Sequence, residues 1–181
     1  MTRKEEATRL LAEADLLFSE EQVSDAVQRM AREISAKLKD EFPVVLSVMG
    51  GAAVFTGQLL PRLTFPLEFG AIEVTRYNNA IEGREITWRL APRENVRGRV
   101  VLVVDDILDE GITLAAIHKR LFEMGAGVVY SAVFADKAIG RAKPVVADFI
   151  GITVPNRYVF GFGMDAYGLW RNLPAIYALK D

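Results

Sequence analysis

Val100-Val101-Leu102-Val103-Val104-Asp105-Asp106-Ile107-Leu108-Asp109-Glu110-Gly111-Ile112-Thr113-Leu114 decides the fold. Five apolar residues, four of them valine, open the stretch. A strand this apolar has no face suited to water, which predicts a central strand of a parallel sheet covered on both sides. Asp105 and Asp106 stand at its C-terminal end, and Asp109 follows in the turn. Gly111, Thr113 and a helical pattern come next. Ligands of open α/β sheets bind beyond the carboxyl ends of the strands. A loop that opens a helix offers backbone N–H groups to an anion. One stretch therefore sets acceptors for hydroxyls, or for a cation, beside a cradle for a phosphate. A sugar phosphate satisfies both halves.

The rest of the chain supports an α/β fold with a mostly parallel central sheet flanked by helices. Upstream, Ala7, Leu10, Leu11, Ala14 and Leu17 recur at helical spacing. Ser19 with Gln22 has the form of a capping box and opens a second helix. The stripe Val23, Ala26, Val27, Met30, Ile34 and Leu38 carries that helix to about Lys39. Both stripes are expected in the core, and residues 1–41 form a helical N-terminal extension. Val44 to Met49 predicts a short buried strand that ends at Gly50-Gly51, with helix from Ala52 to Leu60. Residues 67–90 predict two strands around a polar connection, a hairpin able to move. Downstream, a helix from Ile112 to about Met124 stops at Gly125 to Gly127. Strands are expected over Val128–Ala135, Asp148–Thr153 and Arg157–Phe160. Residues 155–181, rich in glycine and aromatics, join the N-terminal helices in a small hood over the sheet.

Composition narrows the partners. The 181 residues suffice for a single domain with a substantial core, and the apolar fraction of 51% with 25% charged residues is that of an ordinary globule. The net charge of −2 gives no footprint for nucleic acid and no polybasic patch for a membrane. With no cysteine there are no disulfides, thiolate metal sites or cysteine nucleophiles. Glu13 and Asp15 interrupt the N-terminal pattern where a secretory signal needs an unbroken apolar run, so a cytoplasmic location is expected. His118, the single histidine, follows the loop on a helix and reads as a partly exposed, non-catalytic residue.

Two common nucleotide motifs are absent. Gly51 to Gly57 has the wrong spacing for a P-loop and carries no lysine, and Gly50-Gly51-Ala52 is not a dinucleotide fingerprint. What residues 101–113 do show is four hydrophobics, two acids, two hydrophobics, Asp, any residue, Gly, any residue, Thr. This order resembles the ribose-phosphate signature of the type I phosphoribosyltransferases, which use 5-phosphoribosyl-1-diphosphate. Over roughly residues 42–175 the motif order is similar to that of the hypoxanthine-guanine phosphoribosyltransferase family.

The resemblance implies a role for each motif. Asp105 and Asp106 take the ribose hydroxyls. The stretch Asp109, Glu110, Gly111, Ile112 and Thr113 takes the 5′-phosphate, with Asp109 as the catalytic acid/base at purine N7. Met49, Gly50, Gly51 and Arg171 meet the pyrophosphate. Lys137 donates to the purine 6-oxo group, Tyr158 stacks on the base, and the Val159 backbone meets its edge. Mg²⁺ is the implied cofactor, with Asp165, Asp105 and Asp106 as its candidate ligands. Taken singly, Lys137 reads as solvated, Tyr158 as core, Asp165 as a turn former and Arg171 as a surface pair; their order as a set gives them function. Three places depart from the family pattern and bear on affinity rather than reaction type. Met49 stands where a lysine is frequent, Glu110 where Thr or Ser opens the phosphate loop, and Thr75-Arg76-Tyr77 where the hairpin carries Ser-Tyr. The implied reaction is purine salvage: hypoxanthine or guanine becomes IMP or GMP with release of pyrophosphate. The partners are then small-molecule substrates and further copies of the chain, as a dimer or tetramer. The alternatives are a xanthine-type enzyme, or a non-catalytic regulator of the same fold that binds nucleic acid.

Overall fold

Alternation along β5 (Val100–Leu108) shows why the sheet is covered on both sides. Leu102 and Val104 enter one apolar layer, while Val101 and Val103 enter the other. All four are fully buried, and each such side chain contributes roughly 1.5–3 kcal/mol relative to exposure. The structure, a computed structural model, describes residues 2–76, 86–93 and 95–180.

β5 lies in a six-stranded sheet. Its companions are β2 (Val44–Val48), β3 (Glu68–Arg76), β4 (Ile86–Leu90), β6 (Val128–Ala138) and β7 (Phe149–Pro155). The order is β4-β3-β2-β5-β6-β7, parallel except for the antiparallel β3–β4 pair. The expected hairpin is therefore present in its two strands; the connection between them, residues 77–85, lies outside the described residues.

The layer under Leu102 and Val104 is made by α2 (Glu20–Leu38) and α3 (Ala53–Leu59). The α2 capping box forms as the sequence requires: Gln22 N donates to Ser19 Oγ at 3.3 Å, and Ser19 N donates to Gln22 Oε1 at 2.9 Å. The opposite layer is made by α4 (Ile112–Glu123) through Leu114, Ile117 and Leu121.

The N-terminus corrects one expectation. α1 (Arg3–Glu13) stops early, and Asp15–Phe18 forms a strand, β1. It pairs antiparallel with β9 (Ile176–Ala178), which in turn pairs with β8 (Val159–Phe160). α1 buries no residue, so its stripe is not core. Helical spacing over five positions misled because Leu16, Leu17 and Phe18 are equally suited to a strand, and a partner at the far end of the chain, with Asp15 opposite Ala178, settles the matter. This three-stranded sheet joins the N-terminal segment to the C-terminal tail and is tied by Arg157, whose Nη2 donates to Asp15 at 2.6 Å and to the Leu179 carbonyl at 2.7 Å.

Candidate active site

β5 does not end at its acids. Ladder pairing with β6 continues through Asp105, Ile107 and Leu108, the last opposite Asp136. The acids are strand residues, half-buried in a wall rather than free in a turn. Asp105 Oδ1 accepts from the Asp106 amide at 2.9 Å, and Asp106 Oδ1 accepts from the Ile107 amide at 2.9 Å. Burial pushes the Asp105 carboxyl well above the ordinary range, and the neighbouring Asp106 charge raises it further. Burial raises Asp106 as well, opposed by hydrogen bonds and by the Arg171 guanidinium.

The acids beyond the strand behave differently. Asp109 is exposed and accepts from Lys137 Nζ at 2.8 Å; the lysine side chain is only 13% exposed. Glu110 accepts from Arg141 Nη2 at 2.5 Å. Gly111 then caps α4 with φ at +79°, a conformation that strains any residue with a Cβ. A Cβ there would also press on Lys143 and Pro144 at 3.3 Å. The N-terminal turn of α4, with the Ile112 and Thr113 amides, follows directly and carries the positive end of the helix dipole.

The tail closes the opposite wall. Gly163 has φ at +102°, and a Cβ on it would lie 2.1 Å from the Gly51 carbonyl oxygen. A Cβ on Gly51 would in turn lie 2.0 Å from Asp106 Oδ2. The turn at Met49-Gly50-Gly51, Asp106 and the tail are thus interlocked by close approach. The rings of Phe55, Phe134 and Phe162 support this lock from below, with centroids 4.5–6.4 Å apart. Arg171 Nη1 donates to the Gly163 carbonyl at 2.7 Å, and its Nη2 lies 2.5 Å from Asp165 Oδ1. The other Asp165 oxygen accepts from the Gly168 amide at 2.7 Å. Tyr158 is 46% exposed and stacks on Tyr167 at 5.5 Å, so it is not the core residue that its isolated reading suggests.

These elements enclose a cavity of about 260 Å³. Asp106, Asp109, Lys137, Tyr158, Val159 and Asp165 line it, all of them singled out by sequence. Ile107 and Met164 also line it and escaped notice. Both sit beside a singled-out aspartate, which is the only signal that marks them. Met49 is exposed at the mouth of the β2 turn and carries no charge to it. Asp105, Asp106 and Asp165 do not converge as a three-ligand metal set, and no cluster of three His, Cys, Asp or Glu exists among the described residues. His118 is half-buried with its Nε2 enclosed, and burial lowers its pKa.

Two acids at the end of a central parallel strand, a turn that opens a helix and a cavity beside them are the arrangement in which open α/β sheets hold their ligands. The phosphoribosyl transferase domain model matches residues 14–167, and the chain belongs to the phosphoribosyltransferase family. The relatives it resembles include hypoxanthine-guanine phosphoribosyltransferases. The hypoxanthine-guanine phosphoribosyltransferase of Bacillus subtilis (strain 168) is 31% identical over 166 residues, covering 91% of this chain and 92% of the relative. The hypoxanthine-guanine-xanthine phosphoribosyltransferase of Tritrichomonas foetus is 32% identical over 167 residues, covering 92% and 91%. Among solved structures, a hypoxanthine phosphoribosyltransferase variant from Trypanosoma cruzi in a ternary substrates complex superposes with a TM-score of 0.87. It is 28% identical and covers 93% of this chain and 97% of that one.

Proposed function

We propose that the protein is a purine salvage phosphoribosyltransferase. It transfers ribose 5-phosphate from 5-phosphoribosyl-1-diphosphate to N9 of hypoxanthine or guanine, releasing pyrophosphate. The observation that carries this reading is the Lys137–Asp109 pair on the wall of the cavity, 2.8 Å apart. A 6-oxopurine presents its 6-oxo group and N7 side by side. Lys137 donates to the first, and Asp109 faces the second as acid/base. Tyr158 offers a stacking surface, and the Val159 backbone lies at the base edge. Asp109 also begins the phosphate loop, so the base reader and the phosphate cradle share a residue.

The remaining roles follow the walls of the site. Asp105 and Asp106 accept hydrogen bonds from ribose hydroxyls. The Glu110–Thr113 amides and the Thr113 hydroxyl hold the 5′-phosphate. The Gly50 and Gly51 amides with Arg171 meet the pyrophosphate, while Met49 contributes backbone alone. The three carboxylates do not converge, but Mg²⁺ keeps several non-protein oxygens and needs only one or two carboxylates, so Asp165 on one wall or the Asp105–Asp106 pair on the other would hold it. When bound, the ion supplies Lewis-acid stabilisation of charge on the leaving group. The protein is further proposed to assemble as a dimer or tetramer.

The test is a spectrophotometric assay of purified protein with Mg²⁺, the diphosphate donor and hypoxanthine, guanine, xanthine, adenine or uracil. Turnover of hypoxanthine and guanine is expected. Xanthine belongs in the panel because one relative carries it in its name. Turnover of adenine or uracil alone, or of none, contradicts the reading.

A further inference from the structure

The C-terminal end of β6 and the connection that follows it grip the phosphate loop residue by residue. Lys143 Nζ donates to the Leu108 carbonyl at 2.7 Å and to Asp136 Oδ1 at 2.5 Å. Lys137 holds Asp109, Arg141 holds Glu110, and Lys143 and Pro144 pack over Gly111. Of these contacts, the Arg141–Glu110 pair is distinct. Both of its side chains are exposed, 68% and 43%, whereas the lysine that holds Asp109 is only 13% exposed. It also holds the one acid that sits immediately before the α4 N-cap, where an incoming dianion must dock. Uncompensated, that carboxylate repels the dianion. A cavity of about 590 Å³ opens on the pair and is lined by Lys119 and Lys143 as well, but the Lys143 ammonium is taken by Asp136, so Arg141 is the cation that Glu110 holds.

We propose that Arg141 is a positioning residue for phosphorylated substrates. It holds Glu110 and cancels its charge, so that the loop accepts a phosphate that Glu110 alone would repel. The proposal rests on the reading of residues 109–113 as the 5′-phosphate site. Arg141 and Glu110 then act as one neutral unit, and removing both charges leaves phosphate affinity where it was.

Calorimetry with ribose 5-phosphate on wild type, R141A, E110Q, R141K and the R141A/E110Q double variant tests this. R141A is expected to weaken binding about tenfold at low salt and less at high salt. E110Q is expected to tighten binding by roughly twofold to tenfold, and the double variant to return within about twofold of wild type. R141K, which keeps the charge, stays within about threefold of wild type. In turnover, KM for the diphosphate donor follows these affinities, and KM for the purine does not move. A double variant as weak as R141A, or an R141A as tight as wild type, overturns the proposal while the phosphate-site reading stands. A wild-type protein that binds no ribose 5-phosphate overturns that reading as well.

Discussion

Four carboxylates occupy six consecutive positions, and they fall into two unlike pairs. Asp105 and Asp106 are built into β5, half-buried, held by the backbone amides that follow them and by each other. Asp109 and Glu110 stand beyond the strand, exposed or half-exposed, each with its own cation at 2.8 and 2.5 Å. The same side-chain chemistry thus meets two environments. Burial raises the inner pair toward the neutral form, suited to meeting hydroxyls or a cation that repays their desolvation. The outer pair is charge-compensated before any ligand arrives, Asp109 by Lys137 and Glu110 by Arg141. What separates the pairs is the length of β5: it runs to Leu108 because β6 pairs with it that far.

The largest expected effect falls on the outer pair. Asp109→Ala should lower kcat by about 10²–10⁴-fold, the usual contribution of a positioned acid/base. Steady-state kinetics with both substrates saturating checks this, and near-normal turnover removes Asp109 from the chemistry. Lys137→Ala should raise the purine KM by roughly 10–100-fold, the loss of a charge-assisted hydrogen bond, with a smaller change in donor KM. Equal changes in both KM values would show that the pair merely braces the loop.

The inner pair is tested through pH. Folded Asp105 binds its proton more tightly than the unfolded chain does. Its contribution to stability is therefore full below the ordinary carboxylate pKa and is lost as pH rises through the raised folded value. Asp105→Asn has no proton to lose, so its melting temperature should gain on wild type as pH rises above the ordinary carboxylate range. A difference that stays flat above that range contradicts the buried assignment. By the same linkage, GMP with Mg²⁺ should release a fraction of a proton in this window, seen as buffer-dependent binding heat. The smallest effect belongs to a control. Arg89 and Glu73 pair at 3.1 Å on an exposed strand pair, and Arg89→Ala should cost no more than about 1 kcal/mol by chemical denaturation.

What the sequence revealed and what it concealed divide on physical grounds. The valine run, the acids, Gly111 and the α4 stripe are local, so β5, the loop and α4 could be read directly. The ordered set Lys137, Tyr158, Asp165 and Arg171 was legible only as an order, since each residue alone has an ordinary explanation. The strand at Asp15–Phe18 was not legible, because its partner β9 lies at the far end of the chain. Nor were Arg141 and Lys143: they meet Glu110 and Leu108 across 31 and 35 residues, and no periodicity reports such a contact. The acids appeared to end their strand because hydrophobic patterning stops at Val104, whereas hydrogen-bond pairing with β6 does not.

A crystal structure of the protein with GMP tests the central claim most directly. The phosphate is expected on the amides of residues 110–113, the ribose hydroxyls on Asp105 and Asp106, and Lys137 moved from Asp109 to the purine 6-oxo oxygen. A nucleotide bound elsewhere, or a Lys137–Asp109 pair left intact beside a bound base, would contradict it.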